Sequence, residues 1–415
     1  MKRALAAAAA LSFCLSTTAH AQDAETPTET TSPAGPTVGY YDDGGNWIPP
    51  SRGRAPDTDN CPQATWPPEP VTTSERAAAS PAPLPVLFDG PCGVTAADGY
   101  TTPDGVVASA WLVADLDSGD VVAMKDPHGR YRPASIIKVL LALTVIDELP
   151  LDQKVEVSAE SVGQEGSAAG IGEGGDYTVE DLLTGLLLSS GNDCAHALAQ
   201  ALGGDELALG KVNALAKKLG MADTRATSYS GLDGTGMSTS AWDMGLAYTA
   251  AFADPTFARI VDTEHTTFPG FDDLPPFELW NDNQLYLNDP DGIGGKTGYT
   301  DDANHTFVGA VNHEGRRLVA VVLDTAAYDH RPWEQAQMLL HEAYGVRSSV
   351  AKLEPLAAPA APTTAKAAPT PTPVAGEETA WDRWQSYAVV AGVLVLAAGA
   401  AAISLATTTR QRRRR

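Results

Sequence analysis

Cysteine, histidine and positive charge are all scarce in this chain of 415 residues, which has 4 Cys, 8 His and 28 Lys+Arg against 52 Asp+Glu. With neither a CxxC nor an HExxH pairing, the spacings that hold zinc are missing, and no metal or other cofactor is expected. No Gly-x-Ser-x-Gly elbow occurs, which disfavours a Ser-His-Asp hydrolase. A formal charge of −24 repels phosphate backbones, so nucleic acid is not an expected partner. Internal repeats are also lacking.

Long apolar runs are confined to the two ends. Residues 1–21 carry Lys2 and Arg3, then an Ala/Leu/Phe run, then Ala19-His20-Ala21, the order of an export signal with its cleavage site. Tyr387 to Ala406 is uncharged and long enough to cross a bilayer as a helix. Trp381, Trp384 and Tyr387 form its outer aromatic edge, and a basic tail of residues 407–415 with five arginines lies beyond it, the arrangement expected with the C-terminus cytoplasmic. The expectation is a single-pass protein of the cell membrane with its bulk outside. Removing both ends takes seven of the 28 positive residues and no acid, leaving −31 on the exported part.

Residues 22–98 are rich in Pro, Thr, Ala and Gly with little periodicity, and 351–380 read as an Ala/Pro/Thr linker. Such composition is expected to bury too little apolar surface to offset ordering entropy. What remains, residues 99–350, is large enough for one domain of two lobes. Cys14 leaves with the signal, so Cys61, Cys92 and Cys194 reach an oxidising compartment. A Cys61–Cys92 bond is favoured, because both lie in the weakly structured segment before the domain. There a staple contributes roughly 3–4 kcal/mol by chain entropy. Cys194, in an apolar helical run, is then a free core thiol.

Within residues 99–350 a hairpin opens the pattern, Ala110–Leu116 and Val121–Met124 about the turn Asp117–Asp120. Helices follow over 133–149, over Leu182–Leu188 behind a Thr178-Val-Glu-Asp181 capping box, over 192–202, over 206–219 stopped by Gly220, and after a Ser240 cap. Strands return at 295–299, 306–311 and 318–323, and a last helix takes 333–344. Strands at both ends with helices between predict an α/β (α+β) fold, an antiparallel sheet flanked by helices plus a helical lobe.

Three short motifs carry chemistry. Ser135-Ile-Ile-Lys138 sets a hydroxyl and an amine on one face at a helix start. The lysine serves as base only if burial and a second cation lower its pKa toward neutral. Alone this is weak, since Ser349-Val-Ala-Lys352 has the same form by chance. Ser190-Gly191-Asn192 lies between two Leu-rich helices, and Lys296-Thr297-Gly298 on a strand. Singly each reads as a cap or a strand end. In this order, at helix start, interhelical turn and strand, independent accident is a poor explanation.

With these motifs, and with Arg132–Lys138, Thr178–Leu183, Leu188–Asp193, Leu219–Thr224, Gly231–Asp233, Ser238–Ser240 and Gly295–Thr300, the chain resembles the penicillin-recognising serine D,D-peptidases. Among these it is closest to the low-molecular-mass D-alanyl-D-alanine carboxypeptidases of the actinobacterial type with a Cys-bounded extension. The resemblance spans about Ala110 to Tyr344 and implies a β-lactamase/transpeptidase-like fold. It implies that Ser135 attacks the terminal D-Ala-D-Ala bond of a peptidoglycan stem peptide, with Lys138 taking its proton and a covalent acyl-enzyme forming. β-Lactams would acylate the same serine. It further implies that Ser190 shuttles a proton to the leaving amine, and that Asn192 bonds the Lys138 amine and the substrate amide. Lys296 would help keep Lys138 neutral, and Thr297 would face the substrate carboxylate. Backbone N–H groups of Ser135 and Tyr299, the latter just after Gly298, would hold the oxyanion. Arg331, near the start of the last helix, is a candidate for the same carboxylate.

A β-lactamase shares fold and motifs. Its class A form also carries a Glu-x-x-Leu-Asn loop, and the nearest segment is Gln284-Leu-Tyr-Leu-Asn288, whose amide cannot act as a base. A non-catalytic cell-wall-binding module requires a lost motif residue, and none is lost. Gly170 to Gly175 fits G-x-G-x-x-G, but no strand precedes it, so a loop beside the cleft is expected.

Overall fold

The computed structural model describes residues 39–41, 44, 47–48, 50–70 and 79–356. The export-signal, membrane-span and basic-tail segments lie outside the described residues, as does most of the 351–380 linker. Among the described residues no helix is long and apolar enough to cross a membrane.

Two short strands open the chain, β1 (Tyr40–Tyr41) and β2 (Trp47–Ile48), followed by β3 (Val94–Ala96), β4 (Ala110–Asp115) and β5 (Asp120–Lys125). A 3-10 turn (Ala134–Ile137) leads into α1 (Lys138–Glu148). The helical region continues through β6 (Lys154–Val155), α2 (Ala159–Val162), β7 (Tyr177–Thr178), α3 (Val179–Leu188), α4 (Asn192–Ala201), α5 (Asp205–Lys218), α6 (Ala241–Ala253) and α7 (Pro255–Val261). Then come β8 (His265–Phe268), β9 (Phe277–Trp280), α8 (Gln284–Asn288), β10 (Gly292–Thr300), β11 (Asn304–His313), β12 (Arg316–Thr325), α9 (Pro332–Ala343) and β13 (Ala351–Lys352).

The principal sheet has seven antiparallel strands in the order β10-β11-β12-β4-β5-β13, with β3 also on β5. Its central strands are continuous apolar runs because both faces are covered, and their period of two deals side chains to two cores. Leu112, Ala114, Val319, Val321, Val308 and Ala310 face the helical lobe, while Trp111, Val113, Ala320, Val322 and Phe307 face the other core. There α9 closes the sheet with Ala336, Leu339, Leu340 and Ala343.

Local chemistry accounts for the helix boundaries. The Thr178 hydroxyl accepts from the Asp181 N–H at 3.0 Å and the Asp181 carboxylate accepts from the Thr178 N–H at 2.8 Å, a complete capping box. The Ser240 hydroxyl caps α6. Asp254 caps α7 by accepting from Thr256 and Phe257, a helix of seven residues whose period is too short to stand out in the sequence. The β8–β9 hairpin and α8 escaped the sequence for the same reason.

Two boundary expectations need correction. The linker does not begin at residue 351, because Ala351 and Lys352 pair with Val121 and Asp120. Leu353 is buried, its N–H donating to the Gly119 carbonyl at 2.7 Å. The described parts of segment 22–98 are not loose either. Cys61 and Cys92 form a disulfide, and β3 pairs with β5. The Arg130 guanidinium donates to the carbonyls of Thr65, Leu84 and Pro85 at 2.7–2.9 Å. An irregular chain has carbonyls free of internal partners, and a buried guanidinium, with five donors, fixes them. Composition registers apolar burial and misses this mode of docking.

Candidate active site

The sheet edge β10 meets the start of α1 and the turn between α3 and α4 at an open cavity of about 530 Å³. Ser135, Ser190, Asn192, Thr297, Gly298 and Tyr299 line it, together with Gly166, Ser167, Asp282 and His305. The three motifs, far apart in sequence, therefore converge on one place.

Ser135 lies in the 3-10 turn and Lys138 is the first residue of α1. Lys138 is fully buried, and its amine donates to the Ser135 hydroxyl at 2.7 Å and to the Ser230 carbonyl at 2.6 Å. Burial pushes the Lys138 amine well below its ordinary value, the nearby Lys296 charge lowers it further, and Asp282, Asp193 and Cys194 oppose. A neutral amine at hydrogen-bonding distance from a hydroxyl is a base in place. Lys296, also buried, is lowered by burial and supported by Asp282.

The backbone around the nucleophile is held under strain. Ala134 has φ +48° and Ser190 φ +61°, left-handed conformations that cost non-glycine residues energy and cluster at functional sites. Gly231 has φ +93°, and a Cβ there would lie 2.1 Å from the Ala134 carbonyl oxygen and 2.8 Å from the Ser135 nitrogen. A Cβ on Gly298 would lie 3.0 Å from the same nitrogen, so strand β10 approaches the nucleophile as only glycine permits.

Asn192 opens α4, and Asp193 beside it accepts from the N–H groups of Ala169, Gly170 and Ile171 at 2.8–3.2 Å. That carboxylate fixes the Gly-rich loop beside the cavity. The expected Asn192 contact with the Lys138 amine is not made. The Asn192 amide donates to the Glu165 carbonyl at 2.6 Å and its Oδ1 is buried with no partner among the described residues. The Ser230 carbonyl accepts from the Lys138 amine at 2.6 Å instead. Likewise the Thr297 hydroxyl is not free to face a ligand, since it donates to Asp282 Oδ2 at 2.8 Å. Ser190 is buried in the cavity wall. Tyr299 is exposed at the mouth, its ring 4.7 Å from that of His305. Arg331 is exposed at the N-cap of α9, outside the cavity lining, although its charge contributes to lowering the pKa of His305. Cys194 is a free, buried thiol whose pKa burial raises.

The sequence reading missed Ser230 and Asp282. A backbone carbonyl leaves no trace in a sequence, and Asp282 is one acid among 52.

A buried lysine paired to a serine, at the junction of an antiparallel sheet and a helical lobe, defines a serine peptidase of the penicillin-recognising class. Comparisons with known proteins narrow this. The D-alanyl-D-alanine carboxypeptidase family matches residues 98–327, and the chain belongs to that family. The D-alanyl-D-alanine carboxypeptidase DacB2 of Mycobacterium tuberculosis is 44% identical over 241 residues, 57% of this chain and 82% of that protein. A crystal structure of a D-alanyl-D-alanine carboxypeptidase from M. tuberculosis aligns at 39% identity with TM-score 0.57, covering 63% of this chain and 97% of its own. A mutant of a Streptomyces DD-transpeptidase aligns at 26% identity with TM-score 0.54, covering 58% and 98% respectively.

Proposed function

We propose that the protein removes the terminal D-alanine from peptidoglycan pentapeptides through an acyl-enzyme on Ser135. The observation that carries this reading is the Lys138 amine, buried, its pKa pushed well below the ordinary lysine value by burial and by Lys296, and 2.7 Å from the Ser135 hydroxyl. At that separation the contact inverts on attack: the Ser135 proton passes to Lys138 Nζ while Oγ bonds to the carbonyl carbon. Collapse of the tetrahedral species breaks the peptide C–N bond, and a proton reaches the departing D-alanine amine by way of Ser190. Water then hydrolyses the ester. N–H groups of Ser135 and Tyr299 hold the developing oxyanion, and the constraint at Gly231 and Gly298 supports that assignment. The orphan Asn192 Oδ1 accepts from the substrate amide. Lys296 and Thr297 take the terminal carboxylate, with Arg331 a longer-range attraction at the mouth.

A β-lactam ring amide meets the same serine, but its amine stays tethered and the adduct persists. The β-lactamase alternative lacks support, since Gln284 lies at the start of α8 and does not line the cavity. Incubation of the purified protein with a synthetic pentapeptide ending in D-Ala-D-Ala should release D-alanine, and benzylpenicillin should leave a stable mass adduct on Ser135. Both should vanish in Ser135→Ala. Release by that variant, or rapid turnover of a chromogenic β-lactam, overturns the reading.

Residues 1–21 and 387–406 supply an export signal and a membrane span in the same reading, which puts catalysis outside the cell membrane. Support comes from their apolar composition and charged flanks. A chain ending at residue 380 should partition to the medium, whereas the full chain should require detergent.

A further inference from the structure

Asp282 stands between two buried asparagines that fix its backbone. The Asn281 amide donates to the carbonyls of Val261 and Thr263 at 3.0 Å. Asn283 caps α8 by accepting from the Tyr286 N–H at 3.2 Å. The Asp282 N–H donates to the Leu188 carbonyl at 2.8 Å, two residues before Ser190. Held from three sides, the Asp282 side chain lines the catalytic cavity. Its Oδ2 accepts the Thr297 hydroxyl at 2.8 Å and lies 4.0 Å from Lys296 Nζ. Its Oδ1 is buried with no hydrogen-bond partner among the described residues. A resident carboxylate, only half compensated, thus occupies the hydroxyl and shares the ammonium that a peptide's terminal carboxylate would use.

We infer that Asp282 is an internal competitor of the substrate carboxylate and sets the selectivity of this site against tightly held anions. The inference rests on the carboxypeptidase reading given above. When a terminal carboxylate arrives, the Thr297 hydroxyl has to turn away from Asp282, and two like charges then share Lys296. Both effects oppose ground-state binding of an anionic ligand. Neither acts on the acyl carbonyl at Ser135, so binding weakens while the chemical step keeps its rate. The same repulsion acts on the carboxylate of released D-alanine and hastens its departure.

The test uses Asp282→Asn in the full chain, which keeps size and an acceptor oxygen for Thr297 while removing the charge. Two boronic acids that bond Ser135 Oγ serve as probes, one bearing a carboxylate at the D-alanine position and one without it. The variant should bind the carboxylate-bearing boronate roughly three- to tenfold tighter and the neutral one equally. Its KM for the pentapeptide should fall in the same proportion, with kcat little changed on the alkaline plateau, where the loss of Asp282's support for the Lys138 proton has no effect. Asp282→Ser should repeat the pattern if the asparagine variant folds poorly. An equal shift for both probes, or weaker binding of the anionic one, overturns the inference; the latter would make Asp282 a residue that positions Thr297. Wild-type protein that binds neither boronate and releases no D-alanine would instead refute the carboxypeptidase reading itself.

Discussion

In a protein with almost twice as many acids as bases, Lys138 is buried near a second cation, and the Lys296 charge adds to burial in making the Lys138 proton harder to hold. Activity needs Lys138 neutral, so acylation should fall as pH drops through its lowered pKa. Lys296→Gln removes the second cation and should move this acid limb to higher pH, read from the pH profile of acylation by a chromogenic β-lactam. Lys138 also costs stability. Its folded value lies below the unfolded one of about 10.4, so the unfolded chain binds the extra proton throughout the interval between them. Lys138→Met should therefore abolish acylation while raising the thermal midpoint at neutral pH, an advantage that shrinks as pH approaches about 10. Cys194 gives a simpler check: its thiol should resist alkylation in the native protein and react once the chain is denatured. At this scale the sequence was informative wherever a side chain does the work. Ser135, Ser190, Asn192 and Thr297 line one cavity, and Lys138 and Lys296 are buried against Ser135 and Thr297 in its wall. It was silent on Ser230, which acts through its carbonyl, and on Asp282, whose meaning lies only in what it touches.

Among the elements, those that bury a face in regular period were legible, and their boundaries fell within a few residues because Thr178, Ser240 and Gly220 act locally. Short pieces that depend on a distant partner were not. β13 has two residues and exists because β5 offers it a ladder. Ending the chain after residue 350 should lower stability by roughly 2–5 kcal/mol, chiefly through loss of Leu353 from the core, whereas ending it after 356 should change little; chemical denaturation of the two chains separates the cases. Gly231→Ala tests the turn beneath the nucleophile. With a positive φ and a carbonyl where its methyl must go, the variant should displace Ser135 and slow acylation by roughly an order of magnitude or more, since small displacements at a reacting centre are costly.

For the whole molecule, length and composition underrated the N-terminal extension. Its polar backbone, pinned by Arg52 on Asp324 and by Arg130, has no signature in hydropathy. The cost of losing it is correspondingly large: deleting residues up to 91 strips three carbonyl acceptors from a buried guanidinium, and leaving such donors unsatisfied costs a few kcal/mol.

The two segments that composition had set aside as loose also do something together. β5 would be an exposed border of the sheet, yet β3 covers its residues 123–125 and β13 covers 120–121. One segment precedes the domain and the other follows it, so sequence from both sides of the catalytic core seals a surface on which a second molecule would otherwise stack. Edge-to-edge stacking of copies along β5 is thereby blocked, and the border left open, β10, is the one the cavity uses.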